Sequence, residues 1–145
     1  MSCYYDYRKY ISERVKAICP KMKAHKKAFD REAAVTGEHF HILPISIFSS
    51  YLSHSGNAIR DELSVSLQLY FNEKRDEQKA LDQAIQKAHC IRASLIKSEN
   101  IDQNSELKKV SVTSLTPIDS FDSSNIINLE ITLEIHLCLD CCNNP

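Results

Sequence analysis

His136, Cys138, Cys141 and Cys142 place one imidazole and three thiols within seven residues. Zinc takes nitrogen and sulfur ligands in a tetrahedron, and a C-x-x-C pair bent across a turn suits that shape. A second C-x-x-C or an H-x-x-H to complete such a site is missing from the rest of the sequence. The same residues read more simply as free thiols at a strand end, so we assign no metal and no cofactor.

Other residue types capable of chemistry occur without the partners that chemistry needs. His39 and His41 stand two apart on an expected strand and face one way, which suits paired ligands or a base with its partner, but histidines so placed are more often surface or interface residues. His89 and Cys90 are adjacent on an expected helix, where neighbours point in different directions, which weakens a thiol-imidazole nucleophile. Glu130 and Glu134 share one face of an expected strand and could be paired carboxylates. Four residues along a strand put them about 13 Å apart, too far for either glycosidase geometry. They read instead as a solvated or lumen-facing acidic row. Serines are frequent, but no G-x-S-x-G elbow surrounds any of them. With only Gly37 and Gly56 in the chain, phosphate cradles and dinucleotide fingerprints, which need clustered glycines, are excluded. Lys16, Lys21, Lys23, Lys26 and Lys27 near Tyr4, Tyr5, Tyr7 and Tyr10 could contact a single strand. The tyrosines follow helical spacing, however, and burial explains Tyr4 and Tyr7 more directly.

The element that organises the rest is Ile127 to Leu139, where every odd position is Ile or Leu and every even one is Asn, Glu, Thr, His or Cys. Only a half-buried strand satisfies that alternation, and the spacing predicts a strand over 126–139. It is longer than the usual five or six residues, so part of it is expected to outrun its own sheet and need a partner. Tyr4, Tyr7, Ile11, Val15 and Ile18 predict a helix over 4–19, with Ser2 as its cap and Pro20 as its stop. Residues 21–36 read as a partly helical basic connection. A strand is expected over 40–48, with His39, His41, Leu43, Ile45 and Ile47 on one face and Pro44 marking a sheet edge. A long polar connection, Ser49 to Asp61, leads to a second strand over 63–71. Strong helix formers, with Leu81, Ala84, Ile85, Ala88, Ile91 and Leu95 on one face, predict a helix over 75–97. A polar turn follows, then a weaker strand over 108–116 ended by Pro117, and a short polar tail over 140–145.

The order is α-β-β-α-β-β: an α+β chain, expected as a two-layer sandwich of about four antiparallel strands against two main helices in a single domain of 145 residues. Net charge is -1, divided as +5 over residues 1–37 and -6 over 38–145. That asymmetry suits head-to-tail contact between copies. No run approaches the roughly 18 to 20 apolar residues of a membrane span, and MSCYYDYRKY lacks the apolar core of a secretory signal. A soluble protein made in the cytoplasm, with its six cysteines reduced, is expected.

The opening helix, the hairpin from Phe40 to Phe71, the helix after NEKRDEQKAL, and the closing pair VSVTSLTPIDSFDSSN and IINLEITLEIHL together give a layout that resembles the tail-terminator, or tail-completion, proteins of long-tailed bacteriophages. The likeness covers about Tyr4 to Asp140. It implies a structural virion protein, not an enzyme: a subunit of a ring, typically a hexamer, at the tail-neck junction. The ring would cap the tail tube protein and join it to the head-side connector, with DNA passing through without specific binding. On that expectation Pro44, Tyr51, Leu52, His54, Phe121 and Ile126 supply ring or docking contacts, and Glu130 with Glu134 face the channel. The alternatives are another neck, connector or tube component, or a small ferredoxin-like enzyme or ligand-binding domain using His39, His41 or the terminal cysteines.

Overall fold

The alternation in the closing stretch is realised as a strand, Asn125–Cys138, whose Ile and Leu side chains are buried while the residues between them stay partly accessible. The structure, a computed structural model, describes residues 4–25, 37–54, 56–71, 77–118 and 125–139. In chain order the elements are α1 (Tyr7–Ile18), β1 (Lys23–Ala24), β2 (His39–Tyr51), β3 (Ala58–Phe71), α2 (Glu77–Ile96), α3 (Ser98–Ile101), β4 (Leu107–Ile118) and β5 (Asn125–Cys138). The polar tail over 140–145 lies outside the described residues.

The chain is α+β, but the expected sheet of about four antiparallel strands is corrected to five strands in a mixed sheet, ordered β1-β2-β3-β5-β4. The fifth strand is β1, which pairs parallel with β2 inside the stretch read as a partly helical connection. A two-residue strand has no periodicity to detect. The third helix, α3, likewise falls in the stretch read as a polar turn. The β2-β3 and β4-β5 hairpins join through β3 and β5, which pair antiparallel over their whole lengths from Ala58↔Cys138 to Phe71↔Asn125.

Three bulges, one in β2 and two in β4, decide which side chains meet the core. In β2 the register shifts between Pro44 and Ser46, so Phe40, Ile42 and Pro44 lie opposite Leu69, Leu67 and Val65, and Ile47 then lies opposite Leu63. The expectation that His39, His41, Leu43, Ile45 and Ile47 share a face is therefore wrong: the extra residue turns Ile47 to the core side. In β4 one shift lies between Leu107 and Lys109, which sets the buried Leu107 opposite Ile135, and another between Val112 and Ser114, so Val110, Val112 and Leu115 oppose Leu133, Ile131 and Leu129. Pro117 does not end β4, which runs on to Ile118 on the sheet edge, where a missing donor costs no ladder bond.

α1 starts at Asp6, whose carboxylate accepts from the Lys9 amide at 3.1 Å, and stops at Cys19, held out of helical geometry ahead of Pro20. Its buried residues are Tyr10, Ile11 and Val15, with Tyr5 just before it, whereas Tyr4 is exposed. The expected cap, Ser2, lies outside the described residues. α2 buries Ala80, Ala84, Ala88, Ile91 and Leu95 at three- and four-residue steps and packs against α1, β4 and β5. Together with Leu63, Val65, Leu67 and Leu69 of β3 and the Ile and Leu row of β5, these residues form the core.

Candidate assembly surface

β1 pairs with β2 at His39 and Phe40, with further bonds from the Lys23 amide to the Glu38 carbonyl at 3.2 Å and from the His25 amide to the Phe40 carbonyl at 2.7 Å. Among the described residues, nothing pairs with the outer edge of β2 beyond that point, and from Leu43 to Ser49 every residue is exposed. Ile47, Phe48 and Tyr51 are 63%, 70% and 76% accessible. No charge interrupts LPISIFSSY, and Leu43, Ile45 and Leu52 add further exposed apolar surface. Scattered exposed apolar residues are ordinary, but an uncharged edge strand bearing large side chains on both faces is a template for pairing. A charged interruption would discourage that pairing, and the run has none.

The long connection expected over 49–61 is a continuation of the hairpin. Ser49, Ser50 and Tyr51 pair with Asp61, Arg60 and Ile59, and the turn is closed by the Leu52 amide on the Ala58 carbonyl at 2.8 Å. Gly56 takes φ +74°, which explains glycine there. Polar residues in this part of the hairpin hid the strand from a reading based on apolar alternation. Pro44, Tyr51, Leu52 and His54 all lie exposed on the β2 edge or hairpin tip. Ile126 is buried, between Ile118 and Tyr70 on the neighbouring strands, and is closed to docking. Phe121 lies outside the described residues.

Glu130 and Glu134 do share the polar face of β5. They are not bare. Glu130 accepts from Asn128 Nδ2 at 2.9 Å, and Asn128 accepts from the Ser66 hydroxyl. Glu134 lies 3.7 Å from Arg60 Nη1 and 3.2 Å from His136 Nε2, while Arg60 Nη2 is 3.8 Å from Glu62. Cross-strand registry with β3 thus brings an arginine to the acidic row, which spacing along β5 alone could not reveal.

His39 and His41 lie on the same face, opposite Tyr70 and Gln68. The His41 ring is turned to the backbone, Nδ1 standing 2.8 Å from the His25 carbonyl, and His25 and His39 meet edge to face at 5.8 Å. Beside them, between α1 and β2, is a cleft of about 500 Å3 lined by Arg8, Ser12, His25, His41 and the apolar Phe40 and Ile42. His136 and Cys138 share the outer face of β5 as expected, while Cys141 and Cys142 lie outside the described residues. Among the described residues no group of three His, Cys, Asp or Glu side chains is arranged to hold a metal, and no helix is long and apolar enough to cross a membrane.

Burial raises the Tyr5, Tyr7, Tyr10 and Cys19 groups above their ordinary values, Tyr10 to about 12. Desolvation disfavours the anionic form of each, so Cys19 is a poor nucleophile. No protein-family model matches the chain, and no curated protein matches it in sequence.

Proposed function

We propose that this protein is a structural virion subunit, a tail terminator that closes into a ring, of hexameric type, on the tail tube of a long-tailed bacteriophage and joins it to the head-side connector. What carries the reading is the β2 edge, uncharged and uncovered among the described residues, with its apolar hairpin tip, on a frame whose main elements run α-β-β-α-β-β. In this reading the helices form one layer and the sheet the other of a two-layer sandwich. The surplus strand surface is completed by identical neighbours, and the hairpin tip at Tyr51, Leu52 and His54 reaches the tube or connector. The protein is assembled in the host cytoplasm and ends in the virion, without catalytic residues or a cofactor. Antibody labelling of purified particles tests it: label at the head-tail junction is the expected result, and particles without this chain overturn the reading.

A second reading, a small ligand-binding domain, is favoured by one observation, the cleft where Arg8, Ser12, His25 and His41 converge over Phe40 and Ile42. Polar groups converging on an apolar floor are the usual makings of a ligand site. A compound screen followed by amide shifts should perturb Arg8, Ser12 and His41 together if this reading is right, and none of them if the ring reading is.

A further inference from the structure

Among the described residues the sheet has two open edges. One is β2 below β1; the other is β4, whose only partner among the described strands is β5. Both carry long uncharged runs, Leu43–Tyr51 and Val110–Ile118. We propose that these two edges meet, β4 of one copy adding to β2 of the next, so that the sheet continues from subunit to subunit. The inference rests on the ring reading and deepens it by naming the contact.

Three observations select this occupant. The first is direction. β2 runs antiparallel to β3, β3 to β5 and β5 to β4, so β2 and β4 of one subunit point oppositely. Copies repeated side by side in a head-to-tail array therefore bring β4 to β2 antiparallel, the pairing most easily formed without a crossover.

The second is height. Following pairs across the sheet, Ile42 is level with Leu67, Leu129 and Leu115, and Ile47 with Leu63, Leu133 and Val110. In a flat ring, where neighbours share a height, Ile42 meets the next copy's Leu115, and Ile47 meets its Val110. From 42 to 47 and from 110 to 115 the spacing is the same, because each strand carries one bulge at the level of Ile131. Pairing the two bulged edges with each other restores a regular register, in which both ends keep their apolar side chains on the core face, with Pro44 opposite Thr113 as a position inside it that has no amide to donate.

The third is the limit of the contact. Pro117, which has no amide to donate, and Ile118 are level with Phe40 and His39, where β1 already occupies the edge. The neighbour's pairing stops where β2 is no longer free.

The same register places Phe48 opposite the next copy's Lys109, both exposed and both on the outer face. In a background with Cys3, Cys90, Cys138, Cys141 and Cys142 changed to Ser, Phe48→Cys and Lys109→Cys chains are mixed under mild oxidation. A disulfide between the two variants, absent when either is oxidised alone, is the expected result. Phe48→Cys chains linking to each other would overturn the proposal in favour of a two-fold β2 contact. No cross-link while electron microscopy still shows rings would overturn it and leave the ring reading standing; no cross-link and no rings would remove both. Should the serine background fail to fold, hydrogen exchange on the native sequence decides. Slowed exchange in both Leu43–Ser50 and Leu107–Leu115 on assembly is expected, and protection of only one edge rules the pairing out.

Discussion

The Tyr10 hydroxyl of α1 donates a 2.7 Å hydrogen bond to the Leu95 carbonyl in the last turn of α2. The last carbonyls of a helix have no partner within it. Here two are satisfied from outside, Leu95 by Tyr10 and Ser94 by Asn100 Nδ2 at 2.8 Å. Asn104 extends the network, donating to the Asn100 carbonyl and accepting from the Tyr5 hydroxyl. Tyr5 and Tyr10 therefore join the N-terminal segment to the end of α2, whereas of the two tyrosines expected to be buried Tyr4 is exposed and Tyr7 only half-buried.

Replacing Tyr10 with Phe keeps the ring and removes the bond, leaving the Leu95 carbonyl buried without that donor. A loss of about 1 to 3 kcal/mol is expected, read as a lower urea midpoint with unchanged slope. An unchanged midpoint would mean that water replaces the hydroxyl.

Burial also gives the protein an alkaline limit. Folding holds Tyr10 protonated to about pH 12, while the unfolded chain releases that proton near the ordinary tyrosine value, about 10. In that window the unfolded state binds fewer protons, so stability falls as pH rises, by up to about 1.4 kcal/mol per pH unit for each such tyrosine. Tyr5, raised for the same reason, steepens the fall. Denaturant titrations at several alkaline pH values should show a steep limb that Tyr10→Phe makes shallower; equal slopes would place Tyr10 in contact with solvent.

Core and edge should respond oppositely to the same truncation. Leu129→Ala empties a fully buried site between α2 and the sheet and is expected to cost about 2 to 5 kcal/mol. Ile47→Ala, at a site 63% accessible in the single chain, should change the stability of the separated subunit by no more than about 0.5 kcal/mol. Thermal melts of dilute protein compare the two. A large loss at Ile47 would mean that the strip is already covered within one chain.

β5 was legible because its side chains obey a period of two without interruption, and α2 because Ala84, Ala88, Ile91 and Leu95 obey the helical one. What hid the rest was one-residue irregularity and partnership between distant segments. A single extra residue near Ile45 reverses every later side chain of β2, and nothing in LPISIF marks it. Lys23 and Ala24 become a strand only because His39 and Phe40 offer an edge. The polar residues Arg60, Asp61 and Glu62 pair as regularly as the apolar ones after them, since pairing depends on backbone groups and not on burial. Of the expected contact residues, Pro44 and Tyr51 were legible as edge and hairpin-tip positions. Ile126 was not, because its burial comes from Ile118 and Tyr70 beside it.

The Arg60 cluster offers a test of the acidic row. Glu62 and Glu134 are directly opposite each other on β3 and β5, an arrangement of like charges that destabilises a sheet. Arg60 reaches both, at 3.8 and 3.7 Å. All three side chains remain partly accessible, so each ion pair is worth little alone, and the cost of losing the arginine comes from the two carboxylates left facing each other. Arg60→Ala should therefore lower stability by about 1 kcal/mol at low salt, an effect that shrinks as salt screens the repulsion. Adding Glu134→Gln to that variant should restore most of the loss, although the same change in the native background gains nothing. A double-mutant cycle in urea isolates the coupling. Additive effects would mean that Arg60 acts through packing of its stem.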